Sequence, residues 1–304
     1  MHRIGTIDLL RVVTVLLLGN VLFSPQCEAV DGVVEINQVR AQAGEVTPGD
    51  TPGFPITISQ TGSYRLTGNL TVTDPDLTGV DITAPGVTID LNGFTIQGPT
   101  SCSGNPPTCT PAGLGSGFRI TASDAAVRNG TLRGFPDRGI FADGSNQLRV
   151  EDLHIEQNGW TAIAGANMAI IQRNTITRNR TSGIELATRS VVIDNIIAEN
   201  GFAGISVNGE SVIRGNIVQD NGGPGIVADE SGNVTDNVVS FNEGSGISAL
   251  GSMIWGNTVS FNDGTGLELD NTSGYGQNIL NFNDTNVVGG IQLAPNSCNG
   301  SLCP

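Results

Sequence analysis

The chain has 304 residues, of which 29 are acidic and 14 basic, giving a formal net charge of −15. Every basic residue is Arg, which excludes a lysine base or Schiff base, and the acidic balance excludes nucleic acid as a partner over most of the surface. From Gly215 to the end there are nine acidic residues and no basic one, whereas Arg119, Arg128, Arg133, Arg138 and Arg149 crowd one upstream stretch; solvated surface is the ordinary reading of such charge.

In chain order, residues 1–29 read as a secretion signal. Arg3 and Arg11 precede the apolar run "VVTVLLLGNVLF", and "CEA" offers small residues where a signal peptidase reads, so cleavage is expected after Ala29. The run is too short and too early to remain as a membrane anchor, and no later stretch approaches about 18 consecutive apolar residues. The expected product is secreted, periplasmic or on the cell surface, without a permanent membrane span. Residues 30–55 follow as an N-terminal cap, because "VVEINQVRAQAG" has helical spacing at Val34, Ile36, Val39 and Ala43 before Pro and Gly intervene.

Residues 56–98 alternate apolar and polar side chains, as in "ITISQTGSYRLTGNLTV" and "GVDITAPGVTIDLNGFTIQG", and read as first, irregular coils. Residues 99–116 are too long for a turn and are expected to protrude as a loop. They carry Cys102 and Cys109, while Cys298 and Cys303 lie in a C-terminal cap at 296–304. Cys27 leaves with the expected signal, and the four cysteines that remain suggest disulfides; three pairings can be drawn, and the close spacings favour Cys102 with Cys109 and Cys298 with Cys303. A metal site is the weaker reading, since neither pair has a further Cys or His nearby.

The solenoid itself, 56–295, declares itself by repetition. Gly-Ile or its equivalent starts at Gly117, Gly139, Ala162, Gly183, Gly204, Gly225, Gly246, Gly266 and Gly290, a period near 21 residues. Alternation within each unit is that of strands, and Gly, Asn and Asp fill the gaps as turn residues. Three short strands per coil, each stacked on its equivalent, make an all-β, right-handed parallel β-helix. Two asparagine columns support it: Asn174, Asn195, Asn216, Asn237, Asn257 and Asn278 form one, and Asn158, Asn179, Asn200, Asn221, Asn242, Asn262 and Asn283 the other. A leucine-rich repeat would need leucines where this chain has Ile, Val and Gly. Stacking also sets Arg173 above Asp194, Arg178 above Glu199 and Arg189 above Glu210.

This coil consensus, Val-x-x-Asn-x-Ile-x-x-Asn-x-Gly-x-Gly-Ile-x-Val, resembles the right-handed parallel β-helix repeat of the pectate-lyase-like superfamily, which includes NosD-like periplasmic proteins. "GSYRLTGNLTV" and "VTIDLNGFTI" are similar to the first coils of its secreted members. The resemblance covers roughly residues 50 to 295 and implies a polysaccharide or cell-surface glycan as partner, bound along the outer face of the Gly-Ile strands. No catalytic set carries over. The Gly-His-Gly element of polygalacturonases, the pectate-lyase motifs with their Arg base and calcium carboxylates, and the Asp-Pro-His-Asp signature of mannuronan epimerases are absent; the Lys-Arg pairs of alginate and chondroitin lyases cannot exist without lysine.

Strand alternation places Arg119, Phe141, Ala164, Glu185, Ser206, Val227, Ser248, Glu268 and Gln292 on that outer face, with Asp143, Asn208, Asp229 and Asp270 two residues further along. The groove candidates are Arg119, Arg138, Phe141, Asp143, Glu185 and Ser206. Glu268 and Asp270, about 6.5 to 7 Å apart by strand geometry and with Asp229 to assist, suit a catalytic carboxylate pair or a calcium site; solvated carboxylates are the plainer reading. His154 sits between Asp152 and Glu156 on a strand away from the Gly-Ile face and reads as structural. The sequence therefore points to an exported glycan-binding β-helix. Its alternatives are a polysaccharide lyase, hydrolase or epimerase working through carboxylates or Arg, with calcium in reserve, and a non-catalytic adhesion rod.

Overall fold

The computed structural model describes residues 32–303; the expected signal at 1–29 lies outside the described residues. Coil follows coil in a right-handed parallel β-helix. A typical coil has strands at Ile184–Leu186, Val191–Ile193 and Ile196–Ala198, and the next has them at Ile205–Val207, Val212–Arg214 and Ile217–Gln219. Ile184 pairs with Ile205, Val191 with Val212 and Ile196 with Ile217, so the sequence period is the sheet register itself. The first strands form an 11-stranded sheet, the Gly-Ile face. The second and third strands form two further faces joined in one sheet of 22 strands, because Ala126–Arg133 and Arg149–Glu156 run unbroken across the corner.

Alternation sends two residues of a typical Gly-Ile strand and the middle residue of each second or third strand inward. Ile205, Ile213 and Val218 of one coil are fully buried, as are Ile226, Val234 and Val239 of the next. Burying each such side chain stabilises by about 1.5–3 kcal/mol. The Gly before the inward Ile is required by close approach rather than by its dihedral freedom. A Cβ on Gly204, Gly225 or Gly246 would lie 2.3, 2.4 and 2.3 Å from a methyl of Val218, Val239 and Val259.

Both asparagine columns are buried at the corners of the third strand, and their amides are fully used. Asn195 donates Nδ2 to Asn216 Oδ1 (3.0 Å), Ile171 O (2.9 Å) and Ile193 O (3.0 Å), while its Oδ1 accepts the backbone and side-chain N–H groups of Asn174, each at 3.0 Å. The first column continues into Asn296, eighteen residues after Asn278, a member that strict spacing hides. A shorter serine column, in which Ser190 N–H donates to Ser211 Oγ and Ser252 N–H to Ser273 Oγ, does the same work elsewhere.

The coordinates correct several expectations. At the N-terminus, Val34–Ile36 is a strand paired with Tyr64–Leu66, and the helix spans only Gln38–Ala43. Asn37 caps it by accepting the Arg40 N–H, so the helix begins after Ile36; its buried residue is Ala41, and Val39 is exposed. The last Gly-Ile start is not Gly290. Leu267 pairs with Val287 and Glu268 with Val288, which puts Asn286 opposite Gly266. Gly289 and Gly290 form a turn with φ of +74° and +73°, and Ile291–Gln292 belongs to the second face. Gln292 thus leaves the predicted groove column.

Both favoured disulfides are formed. Residues 99–116 are largely exposed but keep contact with the coils. Ser101–Ser103 and Thr108–Thr110 make a hairpin that lies along the coil corners: Thr100 N–H donates to Gly134 O, both Cys102 and Cys109 sulfurs lie 3.8 Å from Asn158 O, and Pro107 reaches Gly201. Arg178 and Arg189 pair with Glu199 and Glu210 as the stacking suggests. Arg173 turns instead to the preceding coil, where Glu151 and Asp152 offer two carboxylates against the single one of Asp194.

Candidate functional site

On the Gly-Ile face the first inward apolar residue of each strand is followed by an outward residue. Register stacks these as Thr57, Asp81, Arg119, Phe141, Ala164, Glu185, Ser206, Val227, Ser248, Glu268 and Val288. Side-chain size along this column decides where a ligand fits. Ala164 and Gly165 lie between the larger Phe141 and Glu185, and Ala187 and Ser206 continue the low ground. The result is an open depression of about 470 Å³ lined by Arg138, Phe141, Asp143, Ala164, Gly165, Glu185, Leu186, Ala187, Ser206 and Asn208.

Five of the six groove candidates meet there: Arg138, Phe141, Asp143, Glu185 and Ser206. Arg138 is held from two sides. Its Nη1 donates to both Asp137 oxygens at 3.0 and 3.1 Å, and its guanidinium carbon lies 4.4 Å from the Phe141 ring centroid, a cation–π contact. Asp137 is itself anchored by the Ser116 hydroxyl at 3.0 Å. Arg138 Nε is buried without a partner. Arg119, the sixth candidate, sits one coil before Phe141 and does not line the depression.

Below Arg119 lies Asp81, which sequence reading passed over. Burial holds its carboxyl above the ordinary carboxylate range, with Arg119 offsetting part of the effect, and one of its oxygens is buried without a hydrogen bond. The signal was available: "TGVDITA" at 78–84 matches "SGFRITA" at 116–122 at its Gly and at Ile-Thr-Ala, which makes Gly79 one more Gly-Ile equivalent. Asn208 and the small residues Ala164, Gly165 and Ala187 were also missed as lining groups, since a hollow is made by what is absent from a column.

The carboxylates expected to work together are engaged separately. Asp270 turns into the bend after its strand, accepting from the Ser273 and Thr272 hydroxyls and the Gly251 N–H, which hold its carboxyl far below the ordinary range. Glu268 accepts from the Ser245 hydroxyl at 2.7 Å. Asp229 lies two coils earlier and bonds through its backbone N–H to Val207 O. A calcium ion takes six to eight oxygens, and both Asp270 oxygens already accept hydroxyl or backbone donors. Among the described residues no group of three His, Cys, Asp or Glu side chains is placed to hold a metal ion. His154 lies on the third face, 3.7 Å from Glu156. No helix among the described residues is long and apolar enough to cross a membrane.

Solved structures with a similar course include the A-module of mannuronan C-5 epimerase AlgE6 from Azotobacter vinelandii, at 14% identity and a TM-score of 0.57 over 79% of this chain and 86% of that one. Pectate lyase Pel9A is similar at 11% identity and a TM-score of 0.54 over 77% and 70%. The Dettilon tailspike protein gp208 matches 75% of this chain at 14% identity and a TM-score of 0.46, and the chain spans 60% of its length. Identities this low bear on the fold alone. No curated protein matches the chain by sequence. The family described as right handed beta helix region matches residues 58–211, 116–263 and 162–300 in overlapping stretches; together these run through most of the solenoid, and the chain belongs to that family.

Proposed function

We propose that this chain is an exported glycan-binding β-helix that holds a stretch of polysaccharide against the depression on its Gly-Ile face. The observation that carries the reading is the convergence of Phe141, Arg138, Asp143, Glu185, Ser206 and Asn208 on one hollow with a floor of Ala and Gly. A sugar ring has an apolar face and a polar rim. An aromatic and small residues suit the first, and carboxylates, an amide and a hydroxyl suit the second. Arg138 is largely neutralised by Asp137, so Asp143 and Glu185 leave the hollow acidic. With a net charge of −15 on the chain, this favours neutral glycans over polyuronates at long range. Two disulfides agree with export, and the names of the similar solved structures, a mannuronan epimerase and a pectate lyase, concern sugar polymers.

A second reading, catalysis on the bound polymer, is favoured by the presence of Asp143 and Glu185 in the same hollow as Arg138. One experiment addresses both. The protein is titrated with a panel of neutral and acidic polysaccharides, with and without calcium, following melting temperature, affinity electrophoresis, and the appearance of reducing or unsaturated ends. Binding to a neutral glycan, weakened at least tenfold by Phe141→Ala, is the expected result. An unchanged melting temperature and mobility with every glycan removes the proposal, and new chain ends that vanish in Glu185→Gln establish the enzyme reading.

A further inference from the structure

The third face carries little charge for so acidic a molecule. Over the six coils from Thr175 to Asn281 none of its outward side chains carries a formal charge. Ile196, Ile217, Val238 and Ile279 stand on it between 39 and 45% exposed. Along one edge Phe241, Phe261 and Phe282 are stacked on one another, with centroids 5.1 and 4.9 Å apart, and each is about half exposed or more. Both faces of Phe261 and one face each of Phe241 and Phe282 are taken up by the stack, which leaves little aromatic face for a sugar ring. An exposed apolar patch of this kind is the ordinary mark of an interaction site, a protein contact among them.

The charges that flank the patch say which protein. One edge reads Arg178, Glu199, Asp220, Phe241, Phe261, Phe282, and the other Arg173, Asp194, Gly215, Asp236, Gly256, Gln277. Two copies can meet symmetrically across a flat face in two ways. With solenoid axes parallel, opposite edges meet level by level, setting Arg173 against Arg178 and Asp194 against Glu199. With axes antiparallel, each edge meets itself reversed about the point between Ile217 and Val238. Asp220 then faces Phe241, Glu199 faces Phe261 and Arg178 faces Phe282. On the other edge Asp236 faces Gly215, Asp194 faces Gly256 and Arg173 faces Gln277. No charge meets its like at any of the six levels, and Ile217 meets Val238 at the centre.

We propose that the third face is an isologous interface through which two copies of this chain pack with antiparallel axes. Six coils by one strand and its corners give roughly 25 by 20 Å, about 500 Å² per copy. That is close to the ~1,000 Å² in total that a specific contact needs, so the dimer is a weak one.

The test is sedimentation equilibrium of the full chain, from low micromolar to the highest soluble concentration. A reversible monomer–dimer equilibrium is expected. Phe241→Asp sets an acid against Asp220 twice by symmetry and is expected to weaken the dimer at least tenfold. Adding Asp220→Arg to it sets opposite charges together twice and is expected to restore association. Both backbones have φ near +55°, which Asp adopts readily and which Arg already adopts at Arg178 in the same column. Melting temperature checks the fold of each variant, and Val238→Thr, matching Thr258 of its own column, is a milder probe expected to weaken association several-fold. A monomer at every concentration overturns the proposal, as does a dimer indifferent to Phe241→Asp and Val238→Thr. Failure of the double variant to recover association also overturns it.

Discussion

Asn195 shows how much one side chain can be asked to do in this fold. Replaced by Leu, it would leave the backbone N–H and one side-chain N–H of Asn174 without their acceptor, both buried, while Asn216 Oδ1 would keep only the backbone N–H of residue 195. Each orphaned group costs about 1–3 kcal/mol, so Asn195→Leu is expected to lower stability by at least about 2 kcal/mol and the melting temperature by at least roughly 4 °C. Calorimetry on the two proteins checks it. Asp81 works in the opposite sense. Because burial raises its pKa in the folded state above the ordinary 3.8, the folded form holds a proton that the unfolded form has released, and stability falls as pH rises through that window. Asp81→Asn is accordingly expected to raise the melting temperature at neutral pH and to leave it unchanged near pH 3; an equal effect at both would assign Asp81 another role. Asp270 is the reverse case: its contribution is present at neutral pH and is lost only as pH falls below the ordinary carboxylate range.

Among the elements, strands were legible wherever the repeat is regular, because a 21-residue period and parallel register are one fact seen twice. Legibility failed where geometry depends on something outside the period. Gly290 looked like a coil start because it precedes Ile291, yet the chain turns there and Asn286 takes the place. Val34 and Ile36 fit a helix as well as a strand over so short a run, and only Tyr64–Leu66 beside them decides. Arg173 has carboxylates on both neighbouring coils, so column order alone could not choose between them. In the groove, five candidates were readable as outward residues of one sheet, whereas the hollow between them was not. It is formed by Ala164, Gly165 and Ala187, whose contribution is their lack of bulk.

Across the whole molecule, the distribution of charge separates the surfaces. The Gly-Ile face carries Arg119, Asp81, Glu185 and Glu268 in its outward column, while the third face carries none beyond Thr175. Glycan binding and self-association can therefore coexist, since an antiparallel pair leaves both Gly-Ile faces open. The hairpin Ser101–Thr110 bears on the rod in another way. A solenoid coil ordinarily touches only its neighbours, and stability is then a sum of adjacent contacts. The hairpin instead touches Gly134, Asn158 and Gly201, three corners spread over four coils. It adds a long tie to an otherwise one-dimensional chain of links, like a batten laid across planks. A melting front entering from the C-terminal end should run freely through the coils after Gly201 and stall there. Hydrogen exchange is expected to show a step in protection at that coil, and Cys102→Ser with Cys109→Ser is expected to flatten the step into a slope.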